Sequence, residues 1–498
     1  MKHRILFFLL FIGLVALPCL GTIAAQPVVR LIRDIDPDSE TSDPQAFVTL
    51  NGVAYFRASD GIHGFELWRT DGTGAGTTMV TDLNPGSANG FPDSIAAVNG
   101  RLYFNGFDTA DFKGSKVWQS DGSATGTSLL VDTYPSLSGG GTFGPPLPGN
   151  FTALDESTII FTALDPDGGL EPWKTDGTTA GTNRIIDLHP GSQDSIPIDF
   201  TPLREIAYFA ADDSVVFHHG LATYNRELFR TDGTAEGTYR VKDINPGDEP
   251  SIPTDFIRYG QRVFFSANDG VHGTELWQTN GTEAATAQVA DINPGPAGSA
   301  PQYPILVRFR PPTEAANRND APDTLIFQAD DGTHGAELFR SDGTPEGTGL
   351  LKDINSNGSS IPLGMTRFEG RVYFSADDGV HGIDPWVTDG TEAGTELLLD
   401  LNPGELRSSP LSFVVAGRRL FFVSIVPDDE HYTVRTQLWV TDGTVSGTQL
   451  VFEEPGVSYG YAINNLTVLG NKLLFTAPNG VDENGFSTDI ELFAASAE

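Results

Sequence analysis

Short stretches in which apolar and polar residues alternate, each about five or six residues long, run through most of this chain and are separated by glycine-containing turns. A period of two predicts strands that bury one face, and Asp-Gly or Glu-Gly pairs between them predict tight hairpins, because glycine accepts positive φ at little cost. The stretch around Trp386 shows the pattern in full. Residues 363–368 read as a first strand turned by Glu369-Gly370, and 371–376 (RVYFSA) as a second turned by Asp377-Asp378-Gly379. Residues 384–388 read as a third strand, turned by Asp389-Gly390-Thr391 into a fourth over 396–401. Asn402-Pro403-Gly404 ends the unit, since proline cannot donate to a ladder.

The same unit recurs. ELWRTDGTGAGTTMVTDLNPG, from Glu66 to Gly86, returns as EPWKTDGTTAGTNRIIDLHPG, ELFRTDGTAEGTYRVKDINPG, ELWQTNGTEAATAQVADINPG, ELFRSDGTPEGTGLLKDIN, DPWVTDGTEAGTELLLDLNPG and QLWVTDGTVSGTQLVFEEPG, with a divergent copy at KVWQSDGSATGTSLLVDTYP. One aromatic slot in the third strand anchors every copy: Trp68, Trp118, Trp173, Phe229, Trp277, Phe339, Trp386, Trp439 and Phe493. All 6 tryptophans of the protein fall in it, which points to a repeated packing role. Successive anchors lie roughly 50 residues apart, the period of a four-stranded propeller blade.

The two ends complement each other. VVRLIRDIDP, residues 28–37, reads as a fourth strand with nothing before it, and the C-terminus supplies strands over 464–469, 472–476 and 489–494 with no fourth. One blade made from both ends closes a ring and removes the open edges that invite aggregation. The expectation is an all-β, single closed β-propeller over residues 26–498, of nine four-stranded blades. Eight is the alternative, because the unit around Trp118 is divergent.

Composition narrows the setting. Residues 1–25 carry Lys2 and Arg4, an apolar run over 5–17 and Ala24-Ala25, the pattern of a signal peptide, which predicts a secreted or cell-surface protein, with the periplasm as the alternative. The single cysteine, Cys19, lies in that leader, and Pro18 before it departs from the pattern of a lipid-attachment site. The rest of the chain therefore offers no disulfide, thiol nucleophile or thiolate ligand. A formal net charge of −36 argues against nucleic acid and anionic membrane surfaces as partners, and no further apolar run is long enough to span a bilayer.

The phrase Glu-Leu-Trp/Phe, Asp-Gly-Thr, Gly-Thr at fixed offsets resembles the ELWxxDGT (hyalin-like) repeat of bacterial secreted and surface proteins, over essentially the whole chain after the leader. The resemblance implies an adhesive or scaffolding role and no reaction.

Candidate chemistry is periodic rather than singular. His63, His272, His334 and His381 recur in DGxHG turns, too far apart in different blades to share one ion. Glu66, Glu171, Glu227, Glu275, Glu337 and Glu491 repeat where a glycosidase would have a single pair, and read as structural salt bridges or hydrogen bonds. Catalytic and cofactor-binding residues are expected to be absent. Calcium is the one cofactor considered, at Asp330, Asp331, Asp377 and Asp378, beside glycine turns.

Strand parity places the 2–3 loops and inter-blade links on one face. Longer segments there, residues 136–150, 213–226, 427–436 and 479–488, read as variable loops where a partner binds, while 310–323 falls on the other face. The expected function is a non-catalytic extracellular binding, adhesion or scaffolding module for a protein or glycan. The alternatives are a polysaccharide hydrolase or lyase with its site at the central channel, and a structural cell-surface component.

Overall fold

The computed structural model describes residues 27–37, 41–108, 114, 116–135, 148–164, 169–218, 221–309, 323–403, 408–428, 433–458 and 463–497. The leader expected over 1–25, with Cys19, lies outside them, as do most of residues 136–150 and 310–323.

Nine four-stranded antiparallel sheets form a closed nine-bladed propeller. Blade 1 is Gln45–Leu50, Val53–Ser59, Phe65–Thr70 and Thr78–Thr81, from the channel outward. Blades 2 to 8 follow in chain order, with first strands starting at Asp93, Gly149, Ile198, Thr254, Gln302, Leu363 and Leu411. Each first strand packs against the first strands of both neighbouring blades, and Asn464–Leu469 of blade 9 against Gln45–Leu50 of blade 1. The divergent unit around Trp118 is a complete blade, so the eight-bladed alternative is excluded.

Blade 9 is closed by the N-terminus as expected. Val29–Arg33 lies antiparallel to Ser487–Ser496, with Val29 opposite Ala495 and Leu31 opposite Phe493. Ile35 N–H then donates to Glu491 Oε2 (3.0 Å), fastening the link that leads into blade 1.

The aromatic slot packs between blades. Each anchor stands opposite a phenylalanine of the second strand wherever that strand carries its Phe: Phe56 faces Trp68, Phe265 faces Trp277 and Phe475 faces Phe493. The pair in one blade sits on the Tyr/Leu face of the blade before it; Trp277 and Phe265 pack with Tyr208, Leu228 and Val241 of blade 4. Eight of the nine anchors are buried. Trp439 is half-buried, its indole N–H donating to Gln437 Oε1 (3.1 Å).

The 3–4 turns repeat one arrangement. Asp71 Oδ1 accepts the N–H (2.9 Å) and hydroxyl (2.6 Å) of Thr73, while the hydroxyls of Thr70 and Thr77 meet at 2.7 Å across the hairpin. The glycine serves the neighbour as well as the turn. At Gly122 (φ 91°) a Cβ would collide with the Tyr55 hydroxyl of the preceding blade.

The strands depart from expectation in two ways. The fourth strand read over 396–401 is only Glu396–Leu397, and Asn183–Arg184 and Ala287–Gln288 are equally short. In each of these blades the next N–H still reaches the third strand, Leu398 donating to Pro385 O, Ile185 to Pro172 O and Val289 to Leu276 O. The segments read as loops over 213–226, 427–436 and 479–488 are largely continuations of strands two and three. Ile206–His218 pairs with Leu221–Thr231 out to His218 opposite Leu221, Arg419–Asp428 with Thr433–Thr441, and Lys472–Val481 with Ser487–Ser496. They are paired hairpins, not open loops.

Candidate functional site

The repeated glutamate sets the shape of the channel mouth. Glu66 is fully buried, and its carboxylate accepts N–H from Leu83 (2.7 Å) and Gly90 (2.7 Å), two points on the link to blade 2. Glu227 does the same with Ile244 (3.0 Å) and Ser251 (3.0 Å), and also accepts the Ser251 hydroxyl (2.7 Å). Asp384 fills the slot in blade 7, accepting from Leu401 (3.1 Å) and the Ser408 hydroxyl (2.6 Å). Of the two forms the sequence left open, the structure shows hydrogen bonds to the chain. Blade 2 has Lys116 in this slot, ion-paired with Asp108.

Each clamp holds a strained link. The carbonyl preceding the glutamate takes two N–H groups, the first shared with the carboxylate: Phe65 O from Gly90 and Phe91, Arg226 O from Ser251 and Ile252. The second donor of each pair has positive φ and precedes a proline. Phe91, Ile196, Ile252, Ala300, Ile361 and Ser409 lie at φ 38–48° before Pro92, Pro197, Pro253, Pro301, Pro362 and Pro410. For a branched side chain such as isoleucine this region costs of order 1–3 kcal/mol, and it persists where neighbours over-determine it. Two residues beyond the proline the chain returns to positive φ, at Ala46, Ser94, Asn150, Asp199, Asp255, Tyr303, Gly364, Ser412 and, without the proline, Asn465. Each opens a bulge in its first strand, as between Thr254 and Ile257. The proline before the first strand recurs in eight blades. That was the signal in the sequence for this ring, and the sequence reading passed over it.

The ring is not uniform. Its two carboxylates, Asp199 and Asp255, are neighbours. With Phe200, Thr201, Thr254 and Phe256 they line a cavity of about 420 Å³ between blades 4 and 5. Burial, and then the Asp255 charge, raise the Asp199 carboxyl above its usual range. Asp255 Oδ1 accepts the N–H of Tyr303 (3.1 Å). Ile252 (53% exposed), just before the strand that carries Asp255, and Tyr303 (48%), whose N–H that carboxylate accepts, turn apolar surface outward near them.

The extended hairpins stand on this same face. Those of blades 8 and 9 are adjacent, joined through the link between them by bridges Val434–Ser458 and Val457–Phe486. Blade 4 carries the third, four blades away from that pair in either direction round the ring. Two walls of paired strands thus stand on opposite sides of the mouth, with the acidic cavity at the foot of the blade 4 wall.

The other sequence candidates are engaged within their own turns. Asp331 Oδ1 accepts N–H from Thr333 and His334, and its Oδ2 lies 2.8 Å from His334 Nδ1; Asp378 and His381 repeat this at 2.7 Å. Asp330 and Asp377 each accept the N–H of the turn glycine (2.7 Å). Among the described residues no three His, Cys, Asp or Glu side chains gather as a metal site requires. The nine anchor aromatics lie between blades or at their rim, away from the mouth.

The buried carboxylates give the protein an unusual pH dependence. Burial raises Glu66, Glu171, Glu227, Glu454 and Glu491 to about 7, and Glu275, Glu337 and Asp384 in the same direction. Between the unfolded value near 4.5 and about 7 the folded chain holds more protons than the unfolded one, so stability falls as pH rises through that window. Each proton of difference is worth about 1.4 kcal/mol per pH unit. The turn aspartates, such as Asp71 and Asp176, are lowered by their Thr hydroxyl bonds and act oppositely, losing stability only as pH falls below 3.8. Thermal melts are expected to show a higher Tm at pH 5 than at pH 8; a Tm that rises between them contradicts this assignment.

No family model and no curated protein matches the chain. Solved structures that resemble it include a prolyl endopeptidase (12% identity, 78% of this chain, 55% of that one, TM-score 0.40). A puromycin-hydrolyzing peptidase of Mycobacterium tuberculosis (10%, 93% and 62%, 0.39) and the acylaminoacyl peptidase of Pyrococcus horikoshii (10%, 90% and 58%, 0.34) are others. The chain spans a little over half the length of these enzymes, and the likeness is one of propeller fold. Against the expectation of a non-catalytic adhesion, binding or scaffolding module, several of the propellers similar to this one stand in peptidases, and at 10–12% identity the likeness shows the fold alone.

Proposed function

We propose that the protein handles polypeptide, admitting an extended, cationic segment across the mouth of its channel. The observation that carries this reading is the pair of paired-strand walls on opposite sides of the mouth, with Asp199 and Asp255 at the foot of the blade 4 wall. An extended chain fits such a cleft, and carboxylates near the exposed Ile252 and Tyr303 suit one that carries both amines and apolar side chains. A net charge of −36 steers cationic chains toward the protein and repels anionic ones. The site is the channel mouth itself.

Fluorescence anisotropy with a labelled peptide of alternating Lys and Leu, its Glu/Leu counterpart and a neutral oligosaccharide tests this. The Lys/Leu peptide alone is expected to bind, and Asp199→Asn with Asp255→Asn to weaken it about tenfold, the equivalent of about 1.4 kcal/mol. Equal binding of the Glu/Leu peptide, or no loss in the double variant, overturns the reading.

A further inference from the structure

The three hairpin walls differ in what their edges offer. In blade 8 the outer strand is covered, Val434 exchanging N–H and carbonyl bonds with Ser458 (3.1 and 2.9 Å). In blade 9 Val457 takes the same role against Gly485 and Ser487 (3.2 and 2.8 Å). The inner strands of these two hairpins carry Pro427 and Pro478, which have no N–H to offer an added strand.

Blade 4 has neither device. Its first strand stops pairing at Ile198 opposite Ala210, and the last backbone bond on the inner side is from Asp212 N–H to Ser195 O (2.7 Å). Beyond that point Val215 to His218 pair only with Leu221 to Tyr224 among the described residues. The segment has no proline. A register shift between Asp212 and Val215 re-aims the extension. Its root is braced by Arg226 on Asp212 (2.9 Å at both nitrogens) and by Arg240 on Asp213 (3.2 Å). Among the described residues it is a strand edge left open on the channel side.

Which groups it offers follows from the register. The two-residue connection makes His218 and Leu221 a hydrogen-bonded pair, and Val216 with Thr223 the next one. Val215 and Phe217 therefore direct their N–H and C=O groups out of the hairpin, toward the mouth.

We propose that this edge of blade 4 binds its polypeptide by strand addition, the guest's main chain pairing with Val215 and Phe217. Only an extended backbone presents donors and acceptors in matching alternation. A second copy of this chain is disfavoured as the guest because both would carry a net charge of −36. Asp199, at the start of the same blade's first strand, favours a cationic segment. The inference rests on the polypeptide reading above and adds the means of recognition.

Two changes that leave charge untouched test it. In the protein, Phe217→Pro removes one outward N–H while the ladder bonds of Val216 and His218 remain. In the ligand, the Lys/Leu peptide is N-methylated at alternate residues, once in each register. Each change is expected to weaken binding about tenfold or more, with one methylated register affected far more than the other. The methylated peptides keep the test decisive if Phe217→Pro disturbs the hairpin. If the unmodified peptide binds and neither methylated register is weakened, strand addition is overturned and the polypeptide reading stands. If the unmodified peptide does not bind at all, both fall. A concentration-dependent dimer in sedimentation that Phe217→Pro abolishes assigns the edge to a second copy and overturns the proposal.

Discussion

Deletion of residues 27–37 is expected to unfold the ring at blade 9. The deletion removes Val29–Arg33 and with it the ladder along Leu492–Ala495, on the outer side of Ser487–Ser496. It uncovers the core around Trp68, Phe56 and Leu492, which Ile32 and Ile35 seal. Full burial of one such side chain is worth about 1.5–3 kcal/mol. Those two, with the ladder and the Ile35 bond to Glu491, sum to a sizeable part of a typical domain's stability of roughly 5–15 kcal/mol. The third strand of blade 9 becomes an open edge from Leu492 to Ala495. Thermal melts and size-exclusion chromatography should show a large fall in Tm together with self-association. An unchanged Tm and a monomeric profile would mean that closure by this strand adds nothing.

The second large effect concerns the anchor slot. Trp277→Ala leaves a void between blades 4 and 5, lined by Phe265, Tyr208, Leu228 and Val241. Aromatic-to-alanine changes in cores cost about 3–5 kcal/mol. Trp277→Phe should cost much less, because Phe229, Phe339 and Phe493 fill the same slot in their own blades, and because the Trp277 indole N–H has no hydrogen-bond partner among the described residues. Chemical denaturation of the two variants checks the contrast, and native tryptophan emission should be blue-shifted. Equal losses for Ala and Phe would mean that the slot needs indole itself and not merely a ring of that bulk.

Much of the architecture was legible before any coordinates, for physical reasons that can be located. The strands alternate because each blade has two faces, and residues 28–37 stand out because a fourth strand without a first three has no other partner. What escaped the sequence reading was mostly relational. The opposition of Phe56 and Trp68 needs the register between strands. The clamp by Glu66 spans 17 and 24 residues to Leu83 and Gly90, distances that no local periodicity marks. The segment 213–226 reads as a loop because Asp212-Asp213-Ser214 interrupts its alternation; the structure takes up that interruption as a bulge and resumes pairing beyond it. Proline before the first strand was visible in eight blades, yet its meaning depends on the positive φ of its neighbours, which composition does not show. The acidic pair was hidden similarly. Asp199 and Asp255 are 56 residues apart, and only the ring makes them neighbours.

Photo-cross-linking tests the central claim most directly. A Lys/Leu peptide carrying a diazirine at one residue is bound to the intact protein, irradiated and digested, and the linked sites are read by mass spectrometry. The account predicts cross-links at the mouth and its blade 4 wall, on tryptic fragments holding Asp199, Asp255, Tyr303 and residues 215–218, competed by excess unlabelled peptide. Competed cross-links concentrated instead on the Asp-Gly-Thr turns of the opposite face, or along the outer fourth strands, would contradict it.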